Sequence, residues 1–374
     1  MKKILALVLA LTLVAGLFSF ASAEGAKKKI GIAMPTKELE RWNNDGDFLQ
    51  KAFEDAGYEV LMSYSDNKAD KQVSDIQQLL ADGVEMLIIT AVDGQSLNTV
   101  MDEAQEKGVI VIAYDRLIMH DAVSYYVSYD NFTVGVLQGK FIEEKLDLAN
   151  AGDKTFNMEI TAGDPADNNA PFFYNGAMSI IRPYIEAGTV IVPSGQTEFE
   201  QVGTASWDEA NALNRAQTVL GSFYSGDEKL DAWLCSNDST SRGVVQALGL
   251  DYKGDNEIIV TGQDADDTNL VNIYEGKQTM TVYKNLANEV AITLAVAKAA
   301  MEGEIDGEAL AASFKTDYDI EVAFDVESYE TTPGNKCPSF LLVPYVITKD
   351  TMQLLVDTGL YAWNADNTYV QKVK

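Results

Sequence analysis

The chain has 374 residues, 47% of them hydrophobic, and its 57 acidic residues outnumber its 28 basic residues to give a formal net charge of −29. A surface of that charge is repelled by nucleic acid and by anionic lipid, so neither is expected as a partner. The length exceeds what one hydrophobic core usually supports, and it predicts two lobes.

The first 23 residues have the pattern of a secretory signal peptide. Lys2 and Lys3 form a basic start, an apolar stretch runs from Ile4 to Phe20, and residues 21–23 read Ala-Ser-Ala, a small-residue cleavage pattern. No later stretch approaches the roughly 20 apolar residues that span a bilayer. We therefore expect an exported protein, in the periplasm or at the cell surface where there is no outer membrane.

From residue 29 to residue 115, strand and helix patterns alternate with short connections. Apolar runs predict strands over 29–34, 58–64, 85–91 and 109–115. Amphipathic stretches predict helices between them over 45–56, 71–81 and 96–107. This alternation is typical of βαβ units that build a parallel sheet.

The same alternation starts again after residue 131. Helices are predicted over 133–145, 169–186, 208–221, a stretch ending at 248, and 267–275, with strands over 156–161, 189–194, 230–236, 257–261 and 279–284. A further helix over 288–301 precedes an acidic, glycine-containing segment over 302–308, and a strand-like run covers 338–346. The chain therefore predicts an α/β protein with two similar doubly wound lobes. Because no low-complexity linker separates them, we expect several ordered crossovers.

Polar side chains directly follow several of the predicted strands. Asp115 and Arg116 end one strand, Asn237 and Asp264 follow two others, and Lys284 ends another. In open α/β sheets, ligands bind outside the carboxyl ends of the strands. Because these groups donate to and accept from hydroxyls, the pattern predicts a site for a small polyhydroxylated molecule.

Each of these residues also has a structural interpretation. Asp115 and Arg116 could form a surface ion pair, which contributes little. Lys284 ends an apolar strand, where a buried ammonium group needs a partner such as Asp264 or a ligand. Three polar residues stand where a helix N-cap is expected: Asp167, Asn169 and Asn237.

Aromatic side chains accompany the polar ones. Arg41 and Trp42 are predicted in a polar loop after the first strand, and Trp207 precedes a predicted helix. An aromatic face can stack on the C–H face of a pyranose while an arginine donates to its hydroxyls. The alternative is that these rings pack the edge of a lobe.

Signatures of catalysis and of metal binding are few. The chain has no Gly-rich phosphate loop, no Gly-x-Ser-x-Gly motif and no zinc motif, and we expect neither cofactor nor metal. His120, the only histidine, is predicted in an exposed loop. A glycosidase with paired carboxylates stays open because acidic residues abound. Cys235 lies in a predicted buried strand, so we expect it and Cys337 to be free buried thiols rather than a disulfide.

Six short motifs carry a resemblance to a known family. They are residues 39–42 (Leu-Glu-Arg-Trp), 113–116 (Ala-Tyr-Asp-Arg), 167–170 (Asp-Asn-Asn-Ala), 236–238 (Ser-Asn-Asp), 262–265 (Gly-Gln-Asp-Ala) and 279–284 (Thr-Met-Thr-Val-Tyr-Lys). In this order they resemble the D-xylose-binding periplasmic proteins and the multiple-sugar receptors of plant-associated bacteria. The likeness covers almost all of the mature chain, and residues 125–138 and 175–179 look closer to the multiple-sugar branch.

The resemblance implies a type I periplasmic-binding-protein fold, in which three crossovers join two lobes and a sugar binds between them. It implies a non-enzymatic, monomeric receptor that delivers a monosaccharide to an ABC permease, with a chemoreceptor as a further partner. Alternatives are a receptor for another small polyol or a furanosyl signal, and a secreted glycoside hydrolase. The sugar contacts that it implies are Arg41, Trp42, Asp115, Arg116, Asp167, Asn169, Trp207, Asn237, Asp264 and Lys284.

Domain boundaries are expected where the alternation passes from one lobe to the other. The N-terminal lobe is predicted over 28–131 plus 285–341 and the C-terminal lobe over 132–284 plus 342–374, with hinges near 130–131, 283–284 and 342–344. Residues 162–164 read Ala-Gly-Asp where the family usually has Gly-Gly-Ser. Together with the likeness to the multiple-sugar branch, this departure favours tolerance of both D-xylose and a hexose.

Overall fold

The computed structural model describes residues 27–226, 228–303, 305–317 and 320–373. The predicted signal peptide, residues 1–23, lies outside the described residues. The elements of the first part of the chain are β1 (Lys29–Met34), α1 (Glu40–Asp55), β2 (Glu59–Tyr64), α2 (Ala69–Ala81), β3 (Met86–Ile89), α3 (Asn98–Glu106), β4 (Ile110–Tyr114), β5 (Val123–Tyr129), α4 (Asn131–Leu146), β6 (Phe156–Thr161), α5 (Ala170–Glu186), β7 (Val190–Ile191) and α6 (Phe199–Val202).

The second part of the chain continues the alternation and then ends in short strands. Its elements are α7 (Glu209–Phe223), β8 (Ala232–Cys235), α8 (Asp238–Asp251), β9 (Ile259–Val260), α9 (Asp267–Glu275), β10 (Thr281–Tyr283), α10 (Leu286–Glu302), α11 (Gly307–Asp317), β11 (Val322–Asp325), β12 (Glu330–Thr332), β13 (Asn335–Lys336), β14 (Ser339–Leu342), β15 (Tyr345–Ile347), α12 (Gln353–Asp357), β16 (Tyr361–Trp363) and β17 (Val370–Lys372). Single 3-10 turns lie at Leu148–Asn150, Ala205–Trp207 and Lys349–Thr351.

The large sheet contains seven strands of the described chain, in the order β11-β14-β5-β4-β3-β1-β2. Neighbouring strands run parallel except for β11, which is antiparallel to β14. Because side chains alternate along a strand, Ile30 and Ile32 of β1 face one core and Ala33 faces the other. Helices α1, α10 and α11 cover the first face, and α2 and α3 cover the second.

The small sheet has the order β7-β6-β8-β9 among the described strands, all parallel. Ile160 and Leu234 pack against α4 and α5 on one face. Trp233 and Cys235 pack against α7 and α8 on the other. With helices on both faces of both sheets, the structure confirms the predicted α/β class.

β10 and β15 form a two-stranded sheet of their own beside the small sheet, next to which Val282 of β10 makes an isolated bridge with Gln263. The described chain passes between the large sheet and this second group of strands at three places: after β5, after β10, and between β14 and β15. The run predicted as a single strand over 338–346 is in fact two strands. β14 belongs to the large sheet, whereas β15 pairs antiparallel with β10. Pro344 lies between them, and because proline has no N–H to donate, a single continuous ladder is disfavoured there.

Three further elements differ from the sequence prediction. β5 was not predicted, because Ser124 and Ser128 interrupt its apolar run, although Ser128 is fully buried. α11 follows the acidic segment and buries Phe314 in the core. α1 begins at Glu40 rather than at residue 45, so Arg41 and Trp42 lie in a first helical turn and not in a loop.

The two cysteines do not form a disulfide, and the histidine side chain is mostly buried. Cys235 and Cys337 are free, buried and packed in cores on different sheets, which confirms the prediction of free thiols. His120 lies in a loop as predicted, but its side chain is only 15% exposed and pairs with Asp102 at 3.1 Å. None of the described helices combines the length and hydropathy needed to cross a membrane.

Candidate functional site

A cavity lies where the carboxyl ends of strands from both sheets meet. The space inside it that no atom fills, counted together with the open solvent at its mouth, is about 480 Å³. Of the ten predicted contacts, nine line it: Arg41, Trp42, Asp115, Arg116, Asp167, Trp207, Asn237, Asp264 and Lys284. Residues separated by up to 243 positions in the sequence are thus brought to one cavity, as the strand-end pattern predicts.

Asp115 lies in the cavity wall directly after β4. Its backbone is left-handed, with φ 59°, which is uncommon for a residue with a side chain. Its carbonyl oxygen accepts from Tyr126 Oη at 2.8 Å, from Ser128 Oγ at 3.0 Å and from the Asn169 side-chain amide. These three donors hold the strained turn and so fix where the Asp115 carboxylate lies.

Asn169 is the predicted contact that does not line the cavity. Its Nδ2 donates to the Asp115 carbonyl, and its Oδ1 lies 3.0 Å from Tyr126 Oη. The side chain is therefore used to hold Asp115 in this structure. A direct contact between Asn169 and a sugar stays a prediction.

Arg41 is surrounded by carboxylates. Its Nη2 lies 3.0 Å from Asp115 Oδ2 and 2.8 Å from Glu289 Oε2, its Nη1 lies 3.5 Å from Asp264 Oδ1, and its Nε contacts Asp45 Oδ2. Asp45 and Glu289 are both fully buried. The sequence prediction missed them, because Asp45 reads as a helix start and Glu289 as a solvated residue of a helix first turn.

Lys284 has the partner that its buried position requires. Its Nζ lies 3.3 Å from Asp115 Oδ2 and 3.4 Å from Asp264 Oδ1. Burial opposes ionisation of Asp115, but the positive charges of Lys284, Arg41 and Arg116 outweigh it and lower the pKa of this carboxyl group. Asp115 is therefore an anion at neutral pH.

Arg116 pairs with Asp167 and not with its neighbour in sequence, so the surface ion pair considered from sequence does not form. The Arg116 Nε and Asp167 Oδ2 atoms are 3.0 Å apart, yet the N–H is not aligned for a hydrogen bond. Asp167 also accepts from Trp207 Nε1 at 3.1 Å and from the Asn169 amide at 2.9 Å. Burial raises the pKa of Asp167, while Arg116 and these two donors act against the rise.

The Trp207 ring is held in place by a strained turn. A Cβ atom at Gly163 would overlap this ring, so only glycine fits beneath it. Ser206 and Trp207 both have left-handed backbone, with φ 59° and 53°, and Asp164 Oδ2 accepts from Ser206 N at 2.9 Å. Such strain persists only where the surroundings impose it. Phe173, a further lining residue, meets the edge of Trp207 with ring centroids 6.1 Å apart.

Trp42 forms another aromatic wall. It is only 5% exposed, and the guanidinium carbons of Arg41 and Arg116 lie 5.4 and 5.0 Å from its ring centroid. At these distances both arginines make cation–π contacts. Trp42 therefore steadies two donors in addition to presenting an aromatic face to the cavity.

Asn237 caps a helix, and it also lies at the cavity. Its Oδ1 caps helix α8 by accepting from Thr240 N at 2.9 Å, and the residue also lines the cavity. Lining residues absent from the ten predicted contacts are Leu39, Glu40, Phe173, Ser239, Gln263 and Asp266. Gln263 and Ser239 could have been found from their positions beside Asp264 and Asn237.

The arrangement can bind a neutral polar molecule. Each of its cations lies within 3.5 Å of a carboxylate, so the cavity offers charged donors and acceptors side by side. Within the described part of the chain, no group of three or more His, Cys, Asp or Glu side chains could hold a metal ion.

Comparison with known proteins agrees with this geometry. The sequence profile of a family described as "Periplasmic binding protein domain" matches residues 30–305. The chain is 37% identical over 367 residues to the multiple sugar-binding periplasmic receptor ChvE of Rhizobium radiobacter, covering 96% of this chain and 98% of that protein. It is 36% identical over 287 residues to the D-xylose-binding periplasmic protein of Escherichia coli (strain K12), covering 74% and 81%.

Two solved structures resemble this one over both sheets. An ABC transporter solute binding protein from Clostridium phytofermentans with bound β-D-glucose has a TM-score of 0.83 and 43% identity, covering 91% of this chain and 100% of that chain. A carbohydrate transporter solute binding protein from Chloroflexus aurantiacus in complex with D-glucose has a TM-score of 0.77 and 28% identity, covering 91% and 98%.

Proposed function

Because the chain belongs to the periplasmic binding protein family, we propose that it captures a monosaccharide between two lobes and delivers it to an ABC sugar permease. The observation that carries the proposal is the cavity at the strand ends, where Arg41, Arg116 and Lys284 are each paired with a carboxylate. The relatives named for sugar binding, and two neighbours that hold glucose, support the same ligand class.

Paired charges suit a neutral sugar. Each sugar hydroxyl both donates and accepts, so it can bridge a cation such as Lys284 and a carboxylate such as Asp115. Because each cation is already paired with a carboxylate, the ligand needs no charge of its own. Trp42 and Trp207 supply aromatic surface for the C–H face of the ring, which polar groups cannot contact well.

The ligand range is expected to include D-xylose and at least one hexose, D-glucose or D-galactose, at the same site. Xylose differs from glucose by lacking the exocyclic hydroxymethyl group, and a cavity open at that carbon accepts both. Calorimetric titration against a panel of pure aldoses, with myo-inositol as a polyol control, tests the proposal. Competition between xylose and glucose is the expected result. Binding of xylose alone, with both hexoses silent at millimolar concentration, would show a pentose-specific site.

The two proposed lobes are residues 28–131 plus 285–341 and residues 132–284 plus 342–374, with hinges near 130–131, 283–284 and 342–344. The support is that the chain passes between the sheets at these places. Closure around a ligand by such hinges should contract the molecule. Small-angle scattering should show a smaller radius of gyration with saturating sugar, and an unchanged radius would contradict hinge closure.

Members of this family are exported binding proteins that serve membrane transporters, and we propose the same for this chain. It then acts as a monomer without catalytic activity, and a chemoreceptor is a second partner for its sugar-bound form. Incubation with chromogenic glycosides tests the absence of catalysis, since steady turnover would identify a glycoside hydrolase instead. Light scattering after size-exclusion chromatography tests the monomeric state.

A further inference from the structure

Two buried carboxylates lie behind the cavity without lining it. Asp45 belongs to α1, one turn after Arg41, and Glu289 belongs to the first turn of α10. Both side chains have no exposed surface. Each contacts the guanidinium of Arg41, Asp45 through Nε and Glu289 through Nη2 at 2.8 Å.

These contacts occupy the edge of the Arg41 guanidinium that carries Nε and Nη2. The edge that carries Nη1 stays available to a ligand. Among the described residues, Asp45, Glu289 and Asp115 contact Nε and Nη2, whereas Nη1 has one long contact of 3.5 Å, to Asp264. A planar guanidinium fixed along one edge presents its remaining donors in a fixed direction. The Nη1 donors of Arg41, a cavity-lining residue, are therefore the ones best able to reach a ligand.

The same cluster is unfavourable for stability. Asp45, Asp115, Asp264 and Glu289 all contact Arg41, and Lys284 contacts two of the four, Asp115 and Asp264. Burial and the nearby Asp115 raise the pKa of Glu289, so both act against its ionised form. One oxygen of Glu289 and one of Asp45 are buried without a hydrogen-bond partner. Unsatisfied buried polar atoms of this kind destabilise a protein.

We propose that Glu289, together with Asp45, is a positioning residue of the sugar site, which holds Arg41 so that its Nη1 donates to the ligand. The inference rests on the proposed function, because it assumes that Arg41 contacts the sugar. It assigns a role to a residue that no strand end or cavity wall identifies. It also explains why a locally destabilising carboxylate is kept behind the cavity.

Substitution of Glu289 separates a positioning role from a structural one. Glu289→Met fills a similar volume but accepts no hydrogen bond from Arg41, so affinity for D-glucose should fall about tenfold or more. The melting temperature of the sugar-free protein should not fall, because Arg41 keeps three other carboxylates and the crowding of acids is relieved. Glu289→Gln retains an acceptor without charge, and it should restore affinity to within about threefold of the wild type.

A matched control is Glu159→Met. Glu159 is also fully buried, but it accepts from Ser194 N at 3.1 Å, Ser194 Oγ at 2.6 Å and Tyr224 Oη at 3.1 Å, away from the cavity. This change should lower the melting temperature and leave glucose affinity unchanged. Calorimetric titration and differential scanning calorimetry give the two readouts for every variant.

Three results would overturn the inference. They are a Glu289→Met affinity within about twofold of the wild type, an affinity loss that only accompanies a lower melting temperature, and no rescue by Glu289→Gln. If Glu289→Met fails to fold, Glu289→Asp decides, because it withdraws the carboxylate by one methylene; unchanged affinity in that variant contradicts positioning. Failure of the wild type to bind any aldose would instead reject the proposed function.

Discussion

Replacing Arg116 with alanine tests the electrostatics of the cavity directly. Arg116 is 4% exposed, its Nη1 donates to the Ala91 carbonyl at 3.0 Å, and its guanidinium lies against the Trp42 ring. Its Nε is buried 3.0 Å from Asp167 without an aligned hydrogen bond. A sugar hydroxyl beside the two groups would accept from the arginine and donate to the carboxylate.

The expected loss of affinity follows from one such contact. A hydrogen bond to a charged group contributes about 1.5–3 kcal/mol, and about 1.4 kcal/mol changes a dissociation constant tenfold. Arg116→Ala should therefore weaken D-glucose binding by about ten- to a hundredfold in calorimetric titration. The melting temperature should fall as well, because Asp167 would stay buried without its cation, and breaking a buried pair is destabilising.

Controls distinguish the charge from its geometry. Arg116→Lys keeps the charge but loses the planar fork, so an intermediate affinity is expected. Arg182→Ala removes an arginine that pairs with Glu198 at 3.3 Å and is 39% exposed outside the cavity, and Lys140→Ala removes an exposed lysine of α4. Both should bind glucose like the wild type. A folded Arg116→Ala variant with affinity within about threefold of the wild type would remove Arg116 from the site.

Three other outcomes follow from the structure. Gly163→Ala should weaken glucose binding in titration about tenfold or more, because the new Cβ displaces the Trp207 ring. The control Gly221→Ala adds its Cβ in open space on α7 and should not weaken binding. Equal affinities of the two variants would contradict a role for the Trp207 ring in binding. Burial raises the pKa of four carboxyl groups, those of Asp45, Glu159, Asp238 and Glu289. The folded state therefore binds more protons than the unfolded state. As a consequence, the free energy of unfolding falls as pH rises above the unfolded-state pKa values. Scanning calorimetry should therefore give a higher melting temperature near about pH 5.5 than near about pH 8, and the reverse order would refute the assignment. Lys372 Nζ lies 2.8 Å from Glu40 and 3.8 Å from Asp266, two lining residues that flank the cavity. Lys372→Met should speed sugar release in stopped-flow experiments. Lys349→Met, which loses a hydrogen bond to the Tyr274 carbonyl and a cation–π contact with its ring, should not.

The sequence predicts a helix or strand correctly where its apolar residues recur at a regular spacing. β1 and β6 have the predicted bounds, because β1 is mostly apolar and β6 alternates apolar and polar residues, the period-2 pattern of a strand. β5 escaped prediction because its serines are buried only through contacts made by the rest of the chain; Ser128, for example, donates to the Asp115 carbonyl. The break at Pro344 could have been anticipated from its missing N–H, but the choice of partner strand could not.

The sequence predicts site residues that directly follow strands, but it does not predict those that contact the site from outside the cavity. Asp264 and Lys284 could be identified because a parallel sheet directs its strand ends to one edge. Glu289 could not, because a glutamate in the first turn of a helix is usually solvated and favourable there. The contact between Asp45 and Arg41 could have been predicted, because residues four positions apart lie on the same face of a helix. Only the packing of α10 on α1 brings the two carboxylates to the same guanidinium.

The ion pairs of the cavity also cross from one sheet to the other. Arg41 of α1 reaches Asp264 after β9, and Asp115 after β4 reaches Lys284 after β10. The large-sheet side of the cavity is thus tied to the small-sheet side by charges that can exchange partners with a ligand. A sugar hydroxyl placed between such a pair replaces one direct contact with two charge-assisted hydrogen bonds, while both charges stay close together. Sugar binding of this kind would leave no buried charge unpaired, and discrimination among sugars would then depend on whether their hydroxyls match the positions at which these side chains are held.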